Sequence, residues 1–177
     1  ITFEKSYVIC EIKEEGKFDL FDTILRCVGE SKITIEDGDI VVISSKYISN
    51  SQGRLLDSQN ITASKKAVSL AKKFHMEPKI VEIILRESDI IFGGVAGFVI
   101  TSADNILAPN AGIDKSNVKK GKVVLYPNEP YLIAEQLRRK FFLKSSVHIG
   151  VIIIDSRLMP SRVGTIGVAI ACAGIEP

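Results

Sequence analysis

Apolar residues fall at helical spacing in several stretches of the chain, and β-branched runs lie between them. Residues 6–12 (Ser-Tyr-Val-Ile-Cys-Glu-Ile) read as a strand. Residues 19–27 read as a helix with Leu20, Ile24 and Cys27 on one face. The Asp37-Gly38 turn leads into Ile40-Val-Val-Ile43, whose β-branched density predicts a strand buried on both faces. Ser44-Ser45-Lys46 follows with no loop between. Thr62 is the expected N-cap of a helix that carries Ala67, Leu70, Ala71 and Phe74. Pro78 fits the first turn of the next helix, through Ile80, Val81, Ile84 and Leu85.

Residues 88–111 are punctuated by glycine and rich in strand formers, at 90–92, 98–101 and 106–108. Gly121 introduces a strand over 122–126, and Pro130 opens a helix with Ile133, Ala134, Leu137 and Phe141 on its apolar side. Residues 147–154 have the density of a central strand. Strands first alternate with helices and then cluster. The pattern predicts a mixed α/β (α+β) domain, a mixed β-sheet with helices packed on it, over 1–177. The apolar stretch 167–175 stands directly before Pro177, and the chain starts at Ile1. Both features lead us to expect a parent protein that continues past the C-terminus.

Composition narrows the function classes. The formal net charge is +2 and there is no Trp, so neither a nucleic-acid nor a membrane surface is expected. Apolar runs are far shorter than a membrane span. Cys10, Cys27 and Cys172 are widely separated, which argues against a disulfide framework and for a reducing cytoplasm. The Asn60-Ile61-Thr62 sequon reads as chance. Phosphate-loop, dinucleotide, zinc-protease and serine-elbow signatures are absent. His75 and His148 are isolated, and Arg138-Arg139-Lys140 reads as a solvated helix face.

The candidate chemistry lies on two polar turns, 110–117 and 155–167. Asp155 follows the buried run without a loop, and strand ends are where open α/β sheets place ligands. A carboxylate there either ligates a divalent cation, with Ser156 beside it, or caps the next turn. Arg157 and Arg162, with Pro160, Gly164 and Gly167, suit phosphate or carboxylate binding. In Asn110-Ala-Gly-Ile-Asp114-Lys-Ser-Asn117, Asp114 and Asn117 share a face if the turn is helical. They read as metal and nucleotide contacts, or as an Asx-turn and a cap. Ser44-Ser45-Lys46 makes a third polar strand end.

Five segments in register carry a resemblance. They are Gly38-Asp-Ile-Val-Val-Ile-Ser-Ser-Lys46 with Arg54, Thr62-Ala-Ser-Lys-Lys-Ala67, Ile84-Leu-Arg-Glu-Ser88, Asn110 to Asn117, and Asp155-Ser with Pro160-Ser-Arg162-Val-Gly164-Thr-Ile-Gly-Val-Ala-Ile170. Together they resemble the coenzyme F-420-0 γ-glutamyl ligases, most closely the archaeal branch. The resemblance implies that family's mixed α/β fold, a cytoplasmic homodimer, and addition of L-glutamate to the side-chain carboxylate of a deazaflavin coenzyme precursor. It implies GTP as substrate, Mg²⁺ or Mn²⁺, and potassium as a further cation. Asp114, Asp155 and Ser156 would match metal ligands, and Ser45, Lys46 and Asn117 would match GTP contacts. Ile9, Cys10, Glu11 and Ile12 would match a GTP-binding stretch that usually reads Leu-Pro-x-Ile, so Cys10 departs from it. Asn50 stands where the family usually has a lysine, and the family continues past the point matching Pro177. These departures leave open a non-catalytic nucleotide- or metal-binding paralogue, or a ligase with another acceptor.

Overall fold

The protein is described by a computed structural model covering residues 16–116, 118–158 and 163–176, with only the backbone of Leu158. The strand expected at 6–12 lies outside these residues. So do Ile9, Cys10, Glu11, Ile12, Asn117, Pro160 and Arg162.

Helix α1 (Leu20–Glu30) starts where the Asp19 carboxylate accepts the Asp22 N–H at 2.8 Å. It runs past the expected end because Val28 continues the buried stripe of Phe21 and Cys27. Strand β1 (Ile40–Ser44) then feeds helix α2 (Ser45–Ser51) directly. β1 departs from expectation. Val41 and Ile43 face a core, whereas Val42 is 54% exposed and Ile40 is exposed beside it. β-branched residues favour the pleated backbone whether one face or both is covered, so composition alone could not decide this.

Strand β2 (Leu55–Asp57) pairs antiparallel with β6 (Lys122–Val124). Between them lie helices α3 (Lys65–Phe74) and α4 (Pro78–Glu87), then the meander β3 (Ile90–Val95), β4 (Phe98–Ala103) and β5 (Ile106–Pro109). Ser64, not Thr62, caps α3, accepting the Ala67 N–H at 3.2 Å. Glu82 of α4 selects that residue. Its carboxylate accepts the Ser64 N–H at 2.9 Å and Arg86 Nε at 3.0 Å. The Ser64 hydrogen bonds first, and Arg86 after them, pull the Glu82 pKa down to about 2.

Helix α5 (Pro130–Ser145) buries Ala134, Leu137 and Phe141 against strands β7 (Gly150–Leu158) and β8 (Thr165–Ala173). β7 is central, as expected, between parallel β1 and antiparallel β8. The strands of the described residues thus form three sheets, of which β1–β7–β8 mixes both directions. Two cores result. One joins this sheet to α1 and α5 around Phe21, Phe141, Val151 and Ile153, and the other joins α4 to the meander around Ile83, Ile84 and Val99. The neighbours Leu125 and Tyr126 belong one to each core, so the segment after β6 ties the halves together.

Two features of this frame set up a site. β1 stops at Ser44, paired with Ile154, while β7 runs on, so Asp155 lies inside a strand just beyond the end of its parallel neighbour. Residues Asn110, Ala111 and Gly112 form a left-handed turn, with φ of 49°, 55° and 67°. Such a run is strained for Asn and Ala, and tertiary bonds hold it. Asn110 Oδ1 accepts the Val99 N–H at 2.9 Å, and the buried Thr101 hydroxyl accepts the Ala111 N–H at 2.9 Å while donating to the Ala108 carbonyl at 2.5 Å. A Cβ at Gly112 would lie 2.2 Å from the Tyr126 ring, so only glycine lets the turn seat against it.

Thr101→Val keeps the shape but strands a buried N–H and a buried carbonyl. It is expected to lower the unfolding free energy by about 2 kcal/mol, read from urea unfolding as a fall in midpoint at unchanged slope.

Candidate functional site

The open end of the β1–β7 pair and the left-handed turn face a common groove of about 1370 Å³. Ser45, Lys46, Asn50, Asp114, Asp155 and Ser156 all line it. Positions spread over more than a hundred residues are thereby brought together.

Asp155 sits at the centre of a partly buried chain of hydrogen bonds. Ser45 Oγ, at the start of α2, donates to Asp155 Oδ1 at 2.8 Å. Arg157 Nε donates to Asp155 Oδ2 at 2.7 Å. The same guanidinium donates through Nη2 to Tyr126 Oη at 3.0 Å, and through Nη1 to the Leu107 carbonyl. Arg157 is buried, at 8% exposed. Its role was not legible in the sequence, where it read as an anion-binding arginine on a turn. Residues two apart in a strand share a face, so Arg157 meets Asp155 only because β7 continues through both. Tyr126, also missed, is pushed up to about 12, first by burial and then by the Asp155 charge, with Arg157 pulling the other way. It therefore stays a neutral phenol that accepts from Arg157. Strand pleating turns the Ser156 side chain away from that of Asp155, although Ser156 also lines the groove.

Asp114 is held differently. An isolated antiparallel bridge to Val124 fixes its backbone, through N–H···O bonds of 2.9 and 2.8 Å in the two directions. This is an extended setting rather than the helical turn weighed from its spacing to Asn117. Its Oδ1 accepts the Ser116 N–H at 2.6 Å, and its Oδ2 meets Lys46 Nζ at 2.5 Å and the Ser116 hydroxyl at 3.0 Å. Lys46 Nζ also donates to Ser116 Oγ at 2.9 Å. Burial pushes the Asp114 carboxyl up, but the donors on Lys46 and Ser116 outweigh it and hold the pKa below the usual value. Asp114 is thus anionic at neutral pH.

Other residues frame the groove. Asn50 lies on α2, and among the described residues its side-chain amide has no hydrogen-bond partner. Ser49 is buried beside it with its hydroxyl unpartnered. Arg54, another residue of the sequence pattern, is structural: it donates to the Tyr126 carbonyl at 2.5 Å and pairs with Glu87. Among the described residues, the charged lining comprises Lys17, Lys46, Lys119, Lys122 and Arg157 against Asp114 and Asp155. Both carboxylates are matched within the protein, so the surplus charge is positive and suits a polyanionic ligand.

The donor chemistry also suits a hard divalent cation of the magnesium type. Such ions take one or two carboxylates and complete their shell with water and substrate phosphate. An all-protein cage is not what these residues offer. Among the described residues, no group of three or more His, Cys, Asp or Glu side chains could hold a metal. Nor is any described helix long and apolar enough to cross a membrane.

Comparison with known proteins agrees with the sequence pattern. The family model described as F420-0:Gamma-glutamyl ligase matches residues 10–177. Coenzyme F420:L-glutamate ligase of Methanocaldococcus jannaschii is 40% identical over 142 residues, 80% of this chain and 57% of that protein. The Methanopyrus kandleri protein of that name is 35% identical, over 87% of this chain and 61% of its own length. The Methanothermobacter thermautotrophicus protein is 32% identical, over 90% and 64%. The chain thus spans about three-fifths of the length of these relatives. With the family model matched along nearly all of it, the chain belongs to the F420-0:gamma-glutamyl ligase family.

Proposed function

We propose that this chain supplies the nucleotide–metal groove of a GTP-dependent ligase that joins L-glutamate to the side-chain carboxylate of coenzyme F-420-0. The observation that carries the reading is the convergence of Asp114, Asp155, Ser45 and Lys46 on one groove with surplus positive charge. The relatives' names supply the substrate class.

A carboxylate is a poor acylating agent, so the reaction needs activation. A carboxylate oxygen of the acceptor attacks the γ-phosphorus of GTP, and GDP leaves with the electrons of the broken P–O bond. The glutamate amine then attacks the acyl carbon of the resulting acyl phosphate and loses a proton, and inorganic phosphate leaves to give the amide. A divalent cation, when bound, offsets phosphate charge and aligns the reacting groups. Asp114 and Asp155 offer it oxygens, with Ser45 and Arg157 aiming the Asp155 carboxylate. Lys46 and Lys122 offer ammonium groups to phosphate oxygens. The chemistry rests on positioning and charge, with no covalent protein intermediate.

Asn50 favours a second reading. An unpartnered amide replaces a cation at the groove wall, which weakens phosphate binding and suits a paralogue without turnover or a ligase for another acceptor. We further propose a cytoplasmic homodimer. Its support is an exposed apolar row across the meander, where Ser102 pairs with both Ile90 and Leu107 and Phe92 lies alongside.

Incubating the full-length protein with GTP, Mg²⁺ or Mn²⁺, L-glutamate and coenzyme F-420-0 is expected to yield GDP, phosphate and a glutamylated product by mass spectrometry. Asp114→Asn and Asp155→Asn should each lower kcat about a hundredfold. Absence of both GDP and product with the active precursor overturns the ligase reading. GTP binding without turnover supports the paralogue, and turnover on a different carboxylate supports the other acceptor. Arg157→Lys should lower kcat about tenfold or more while GTP affinity holds, because the guanidinium aims Asp155 rather than touching ligand. Arg157→Met should cost about 2 kcal/mol of stability, since it leaves the partly buried Asp155 carboxylate without its counter-ion and removes the donors to Leu107 and Tyr126. Light scattering of the full-length protein should give twice the protomer mass, and Phe92→Glu should shift it to monomer.

A further inference from the structure

Both carboxylates of the groove already have a protein cation, and the two pairs are built in opposite ways. Arg157 is pinned. Its side chain is 9% exposed and its donors serve the Asp155 carboxylate, the Tyr126 hydroxyl and the Leu107 carbonyl. Moving it would strand acceptors on β5, β7 and the segment after β6. Lys46 is not pinned. Its side chain is 29% exposed on a four-carbon stem, and among the described residues its ammonium is held by Asp114 and Ser116 alone. If it leaves, Asp114 keeps the Ser116 N–H and hydroxyl, so the carboxylate remains oriented.

Asp114 Oδ2 already accepts from the Lys46 ammonium and the Ser116 hydroxyl, so both of its lone pairs are in use. An ammonium at 2.5 Å occupies the position a divalent ion needs, and their like charges repel. Displacing Lys46 costs its ion pair. It also leaves the groove with a divalent ion on one carboxylate and a free ammonium nearby, a local charge that a polyphosphate neutralises.

We infer that Lys46 is an exchangeable counter-ion of Asp114: a divalent cation displaces the ammonium, which then turns to the anionic ligand that arrives with the cation. The inference rests on the reading of the groove as a cation–polyphosphate site. It makes the two ligands bind with positive coupling, each favouring the other by the same factor. It also separates the roles of the carboxylates. Asp155 shares its charge permanently with Arg157, and Asp114 is the one that opens.

The test measures Mn²⁺ binding to the full-length protein by electron paramagnetic resonance, with and without a non-hydrolysable GTP analogue. In the unmutated protein the analogue should tighten Mn²⁺ binding about tenfold or more. Lys46→Met should bind Mn²⁺ alone about tenfold more tightly than the unmutated protein, with the coupling reduced to what direct coordination by phosphate supplies, whereas Lys46→Arg should keep it. A Lys46→Met protein that binds Mn²⁺ no more tightly, or keeps full coupling, overturns the exchange and leaves the nucleotide–metal reading standing. Failure of the unmutated protein to bind Mn²⁺ with the analogue present overturns both. A second measurement needs no variant: the ¹⁵Nζ resonance of Lys46 should move when Mg²⁺ and the analogue are added together, and an unmoved resonance overturns the exchange.

Discussion

The guanidinium of Arg157 is the contact on which the rest of the groove depends. Its hydrogen bonds reach the meander at Leu107, the inter-core segment at Tyr126, and its own strand at Asp155. Through Asp155 the chain extends to Ser45 at the start of α2, and through the Tyr126 ring it reaches Gly112 and the left-handed turn. A planar fork with several fixed donors can join three elements at once, which a point-charge ammonium cannot. Burying that charge is tolerable because each guanidinium nitrogen finds an acceptor and the Asp155 carboxylate balances it. Arg54, between the Tyr126 carbonyl and Glu87, is a second polar tie between the two large cores. The polar chain gives their junction a defined geometry, and that junction is the groove.

The electrostatics of the groove follow from the same asymmetry. A deep pair between Arg157 and Asp155 is worth keeping because separating it leaves a buried charge. A half-exposed pair between Lys46 and Asp114 sits in higher dielectric, where ion pairs are weak and easily exchanged. One carboxylate therefore acts as part of the scaffold and the other as a switchable partner. The surplus lysines at the groove wall add a field that favours a polyanion without fixing where it sits. Asn50 adds no charge to that field at α2, and the Ser49 hydroxyl beside it is buried without a hydrogen-bond partner among the described residues.

Periodicity alone determined much of the fold. The helices opened by Pro78 and Pro130 stand where proline's fixed φ and missing N–H place them. The meander strands and the centrality of β7 follow from β-branched density. The mixed sheet was also legible. Asp114, Asp155, Ser45 and Lys46 stood out as polar residues at strand ends and turns, and the fold brings them to one groove. Each stands beside a strand end or a turn, where chain direction and polarity change together. Tertiary structure decided the rest. Val42 is exposed because the described helices cover only the Val41–Ile43 face of β1, which local composition does not encode. Ser64 displaces Thr62 as the cap because Glu82, eighteen residues on, bonds its N–H. Arg157 changes from a ligand arginine to a structural one because β7 runs past the end of β1. That pairing is a long-range event between residues more than a hundred positions apart. Which carboxylate is locked and which is free to open depends on depth from solvent and on the number of acceptors within reach, and both exist only once the chain has folded.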